Sequence, residues 1–329
     1  MTGWAGPQAA LLPDGQRLHL HHGPIDLILW ADPPARAAAY ARAEKRFRTV
    51  LDELVAELPL LRSPAPVGAP VAVTGPVAQR MAAAVAPYAR DFITPMAAVA
   101  GAVADEVLAA MLATAVTPRR PLPHPLSQGD TGGASGDAAP PSPPRRGAGG
   151  EAPDARLPRK AWINNGGDIA FFLSGDEIMS ALLPGGRLAL AARDPVRGIA
   201  TSGWRGRSQS LGIADAVTVL AGTGAEADAA ATVIANALDL PGHPAIARRP
   251  ATEVKADSDL GARLVTVAVG PLSPPDRARA LDRGLAAAED FRARGLIHSA
   301  CLFLQGAARL TAAAPALAPA LSEPEPADA

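Results

Sequence analysis

The chain has 329 residues, 48% of them hydrophobic and only 4% aromatic, with 34 Pro, 31 Gly and a single Cys. That apolar fraction excludes wholesale disorder, and the lone Cys301 excludes an intramolecular disulfide framework and a cysteine zinc cage. A net charge of -1, from 31 basic and 32 acidic residues, argues against a general nucleic-acid or membrane-surface role, which needs a basic excess.

Met1 to Gly15 lacks the charged head and continuous apolar run of a signal peptide, so a cytoplasmic location is expected. Two apolar runs, Arg17–His22 and Ile25–Trp30, flank Gly23-Pro24 and predict paired strands with a tight turn. His19, His21 and His22 put two imidazoles on one strand face, without a third ligand at metal spacing, and a half-exposed strand is the simpler reading. Pro33-Pro34 opens a helix with Ala39, Phe47, Val50, Leu51, Leu54 and Leu58 near helical spacing, closed by Pro59. A further helix runs from Gly75-Pro76 to about Tyr88. Thr94-Pro95 starts an Ala-rich helix, with Thr94 as N-cap. Asp105 and Glu106 lie in the middle of its apolar run, where a bilayer would penalise both, so the run reads as a buried helix.

Residues 117–160 break the pattern. They hold ten Pro, seven Gly and three Leu, and no Val, Ile, Phe, Tyr or Trp. Such a stretch cannot bury enough surface to offset its ordering entropy, so it is read as a disordered insertion. From Ala161 the chain alternates strand-like and helical runs: strands at 162–163, 169–173, 186–192, 196–201, 216–220, 264–269 and 299–304, with helices over 225–238 and 276–294. The fold class expected is α/β (α+β), with mixed sheets packed against helices in one domain built from 1–116 and 161–310, followed by a flexible tail over 311–329.

Four segments could carry chemistry. Asn164-Asn165-Gly166-Gly167-Asp168 sits between two strands, and is either a tight hairpin turn or a ligand loop whose glycines admit close backbone approach. Gly198 to Ser208 places Thr201, Ser202, Gly203, Arg205 and Arg207 after a strand, as a phosphate cradle or a solvated loop. It is neither a Walker nor a Rossmann pattern. Asp228 and Thr232, four apart on a helix, share a face and offer oxygen ligands of the kind Mg²⁺ takes, although an Asp near a helix start commonly serves the dipole. Gly101 in a helix interior costs roughly 1 kcal/mol against Ala, which points to close packing there, with Asp105 one turn on. Cys301, inside an apolar strand, reads as an inert core thiol.

Taken in order, these segments resemble the ApbE superfamily, whose named members are FAD:protein FMN transferases. More closely, the chain resembles an uncharacterised ApbE-related family, through His22-Gly-Pro-Ile-Asp26, Thr94 to Asp105, Asn164 to Asp168, Thr201 to Ser208 and Ile213 to Leu220. The resemblance implies that Gly101 and Asp105 lie at the site and that Gly166, Gly167 and Asp168 border a flavin, to which the neighbouring Asn165 would add hydrogen bonds. It implies further that Thr201, Ser202 and Gly203 form a binding element, and that Asp228 and Thr232 hold Mg²⁺. It implies phosphoryl transfer from FAD to a hydroxyl of a protein acceptor or to water. Arg205 or Arg207 would brace the pyrophosphate, on grounds of charge and position. The alternative is a flavin- or nucleotide-binding accessory protein without transfer. Where the transferases carry a Lys and a His, this chain has Ala100 and Gln209. The expected partner is a small flavin or nucleotide, not nucleic acid or membrane, and a homo-oligomer is left open.

Overall fold

In the computed structural model, which describes residues 6–113, 157–183, 186–206 and 208–312, the alternating runs near the start pair as their pattern requires. β1 (Gln8–Leu11), β2 (Leu18–His22) and β3 (Ile25–Ala31) form an antiparallel meander, with His22 opposite Ile25 across the Gly23-Pro24 turn. Leu18, Leu20, Leu27 and Leu29 face the core, while His19, His21 and Asp26 take the opposite face.

Helices α1 (Arg36–Ala56), α2 (Leu58–Leu61), α3 (Pro76–Val85) and α4 (Val99–Leu112) follow. Pro59 does not close α1; it sits in the first turn of α2, where a missing N–H costs nothing. Thr94 is not a side-chain N-cap either. A 3₁₀ turn over Pro95–Ala98 precedes α4, and the Thr94 hydroxyl donates to Asp259 instead.

The run Pro95–Leu112 is long and apolar enough by composition to cross a membrane, yet over half of it is buried inside the fold. Both of its carboxylates are matched within the protein. Glu106 accepts from Arg46 Nε at 2.8 Å and Arg80 Nε at 2.9 Å, tying α4 to α1 and α3. Asp105 turns the other way, to the start of the next helix.

The described chain resumes at Leu157, and Lys160 already opens β4 (Lys160–Asn165), so the end of the predicted insertion belongs to the sheet. The rest of the predicted insertion, 117–156, lies outside the described residues. Then come β5 (Asp168–Leu173), β6 (Ile178–Leu183), β7 (Gly186–Ala191), β8 (Gly198–Ser202), β9 (Ala216–Ala221) and α5 (Gly224–Ala237). β10 (Ile246–Pro250), α6 (Ala251–Val254), β11 (Leu264–Val269), α7 (Pro274–Ala293), β12 (Ser299–Leu304) and β13 (Ala307–Leu310) complete the fold. Thr311, placed at the start of the predicted tail, is buried, and its hydroxyl accepts from Ala300 N at 3.0 Å.

Nine strands form one sheet in the order β1-β2-β3-β4-β5-β8-β9-β12-β13. The α+β class expected from the sequence is the one observed, but the sheet is not mixed: its ladders are antiparallel. Helices α1, α3, α4, α5 and α7 cover one face, in a core that runs from Leu18 to Leu304 and joins strands from both sides of the undescribed 114–156. On the other face the β6–β7 hairpin packs Met179, Ala181, Leu188 and Leu190 onto Trp162, Ile169, Phe171 and Ile199. β10 and β11 form a separate two-stranded sheet that packs Ile246 and Val269 against the main core and is tied to it by Thr266 N to Ser210 O at 2.9 Å and by Arg248 through Leu211 O and Asp239.

Candidate functional site

The site is built where α4 crosses the start of α5. The approach is so close that a Cβ on Gly101 would fall 2.1 Å from Gly224 O, which explains a glycine in a helix interior. One turn along α4, Asp105 accepts the N–H groups of Gly224 and Ala225, each at 2.8 Å. Thr223 adds its side chain as N-cap, accepting from Glu226 N at 3.1 Å. Backbone donors that a helix start leaves open are thus satisfied by the protein itself. Burial raises the Asp105 carboxyl above its ordinary value, against the pull of the two N–H groups. Asp105 therefore frames the site by holding α5, and the α5 N-terminus is already filled by a carboxylate where an anion would otherwise bind.

Asp228 lies past the first turn of α5, so a capping account does not cover it. Its Oδ2 accepts from Gly101 N at 3.1 Å. α5 buries Ala227, Ala229, Ala230, Ala231, Val233, Ile234 and Ala235, whereas Asp228, Thr232 and Asn236, four apart, form a half-buried polar stripe along the edge of that core. A second carboxylate arrives from the sheet. β4 and β5 pair Asn165 with Asp168 beside the turn, on the helix-covered face. There Asn165 Nδ2 donates to Ala100 O at 3.0 Å, and Thr201 N donates to Asp168 Oδ1 at 3.2 Å. Burial, and then the negative charge of Asp168, push the Asp228 carboxyl well above the carboxylate range, opposed by the N–H groups of Gly101 and Ala100.

Of the residues singled out from sequence, the structure brings Gly101, Asp105, Asn165, Asp168, the Thr201 backbone, Asp228 and Thr232 around one helix crossing. Gly166 and Gly167 form the two-residue hairpin turn, with φ of 67° and 111°, and Gly167 N donates to Asn164 Oδ1 at 2.8 Å. Strand alternation divides the next element. The Thr201 hydroxyl pairs with that of Thr218 at 2.8 Å on the face away from the helices, and Ser202 falls on the helix side. Gly203 packs against Asp215 O. Arg205 lies over the Trp204 ring and 3.8 Å from Asp215, so bracing a pyrophosphate requires it to leave that carboxylate. Arg207 lies outside the described residues.

Gln209 is fully engaged. Its Nε2 donates to Ala251 O at 2.9 Å, and its Oε1 accepts from the Ser258 hydroxyl. Asn236, which the sequence reading passed over, accepts from Ser210 Oγ at 3.2 Å and Leu211 N at 2.9 Å, anchoring the same loop to α5. Its signal was present: Asn236 continues the i+4 spacing of Asp228 and Thr232.

Fold and site together define an α+β protein with a carboxylate pair set between a sheet turn and a buried helix. The chain matches the family model described as AbpE bacteria over residues 9–120 and 151–310, and it belongs to that family. No curated protein matches it.

Proposed function

We propose that the helix-covered face at Asp168, Asp228 and Thr232 is an ApbE-like site that takes Mg²⁺ and a flavin dinucleotide of the FAD type, and cleaves its pyrophosphate. FMN would be passed to a protein hydroxyl or to water. The observation that carries this reading is the negative charge of Asp168 acting on the buried Asp228 carboxyl at the α4–α5 crossing: a hard cation would relieve that repulsion, and an all-oxygen donor set fits Mg²⁺. Asp228 and Thr232 would hold the ion, which supplies neutralisation of charge on the leaving phosphate when bound. Gly101 N keeps the Asp228 carboxylate oriented through its own hydrogen bond. Asn165 fixes α4 against the sheet turn, and Asp105 fixes α5 against α4.

A second reading, flavin or nucleotide binding without transfer, is favoured by one observation. Gln209 is locked between Ala251 and Ser258, and an amide cannot exchange a proton near neutral pH. Incubation of the purified chain with FAD and Mg²⁺ separates the two. AMP release that is lost in Asp228→Ala supports cleavage. Stoichiometric FAD binding without AMP supports the second reading, and neither binding nor release refutes both.

A further inference from the structure

A different constellation stands on the opposite face of the sheet. β2 presents His19 and His21 outward, and the two-residue turn brings Asp26 of β3 directly opposite His21. The third ligand that the β2 run does not contain thus comes from the next strand. His19 Nε2 lies 3.0 Å from Asp26 Oδ1, and His21 Nδ1 lies 3.5 Å from Asp26 Oδ2. One ligand atom from each residue can be chosen so that all lie within 4.8 Å of one another. From these positions we infer that His19, His21 and Asp26 form a binding site for a divalent first-row transition ion, with Zn²⁺ as its probe.

Ligand atoms held at about 2.1 Å from one ion are separated by roughly 3.0 Å along an octahedral edge and roughly 3.4 Å along a tetrahedral one. The His19 distance to Asp26 Oδ1 already matches such an edge, the His21 distance runs to the other oxygen, Oδ2, and side-chain rotation brings the His21 ring onto a common ion, since the rings are 6.1 Å apart and half-exposed. Two imidazole nitrogens with one carboxylate suit Zn²⁺, Ni²⁺, Cu²⁺ or Fe²⁺, whereas Mg²⁺ prefers oxygen alone. Three protein ligands with one negative charge leave the ion a net positive charge and open positions. Next to the ligand cluster lies a shallow depression lined by Asp26, Ile28, Asn164, Gly166 and Gly167. Asp26 belongs to both. This centre is separated by the sheet from Asp228, and does not depend on what binds there.

The test is Zn²⁺ titration of the tag-free, chelator-stripped chain against a competing chelator, with millimolar Mg²⁺ present to occupy oxygen-only sites. One Zn²⁺ per chain is expected, weakened at least tenfold in His19→Gln and in His21→Gln and abolished in the triple variant that adds Asp26→Asn. All three side chains are partly exposed, so the variants are expected to melt as the wild type does. Asp228→Asn should keep the binding. Absence of stoichiometric uptake by the wild type, unchanged uptake by the triple variant, or its loss in Asp228→Asn would each overturn the inference. On the unsubstituted protein, Co²⁺ should broaden the imidazole resonances of His19 and His21, and sharp resonances for both would overturn it as well.

Discussion

Asp228 owes its raised proton affinity first to burial and then to Asp168, and the sign of the effect on stability follows from that. A carboxyl whose folded value lies above its unfolded value contributes stability that is fully present below about pH 4 and is lost as pH rises through the raised value. Asp228→Asn removes the loss while an amide oxygen still accepts from Gly101 N. The variant should therefore melt higher than the wild type near neutral pH, with the difference vanishing towards about pH 4. Mg²⁺ should raise the melting temperature of the wild type and not that of the variant. A difference that stays constant across this range would contradict the assignment. At this scale the sequence was informative where spacing alone sufficed, as for Asp228 and Thr232 on one helix face. It was silent where strand pairing decides: no local pattern says that the Thr201 hydroxyl turns to Thr218, or that the charge of Asp168 bears on Asp228.

Among elements, the α4–α5 crossing carries most of the site. Gly101 meets Gly224 backbone to backbone, and Gly198 on β8 meets Thr223 O, where a Cβ would fall 2.0 Å away. Backbone cannot move aside as a flexible side chain can, so Gly101→Ala forces α4 and α5 apart. Overpacking of this kind costs about 1–3 kcal/mol. The same shift lengthens the Gly101 N to Asp228 contact, so Mg²⁺ stabilisation should fall along with the denaturation midpoint. A change under about 0.5 kcal/mol, as at an ordinary surface position, would show that the crossing is looser than described. The longer helices α1, α3, α4, α5 and α7 and nine of the strands were visible in sequence because their apolar periods are strong, whereas the four-residue α2 and α6 were not. Nor were β1, β6, β10 and β13. β1 is exposed along its length, β10 contains two arginines and a proline, and β13 has four residues. Such strands exist because a neighbour offers a ladder, not because their own residues demand one.

At the scale of the whole molecule, the family match is interrupted at one place, leaving out residues 121–150. The same stretch lies inside the region whose composition cannot form a core. The strands and helices before and after it share one sheet and one core, so the fold does not need those residues to bring its halves together. Deleting 121–150 takes 30 of the 43 residues between Ala113 and Leu157 and still leaves Thr114–Arg120 joined to Glu151–Arg156. Loop-closure entropy changes slowly with length, and a roughly threefold shortening is worth about 1 kcal/mol in favour of the folded state. The deletion variant should melt at the same temperature as the parent or a few degrees higher, and should respond to Mg²⁺ and FAD as the parent does. A marked loss of stability would mean that 121–150 packs against the domain. Retained stability with altered FAD response would place the segment at the site.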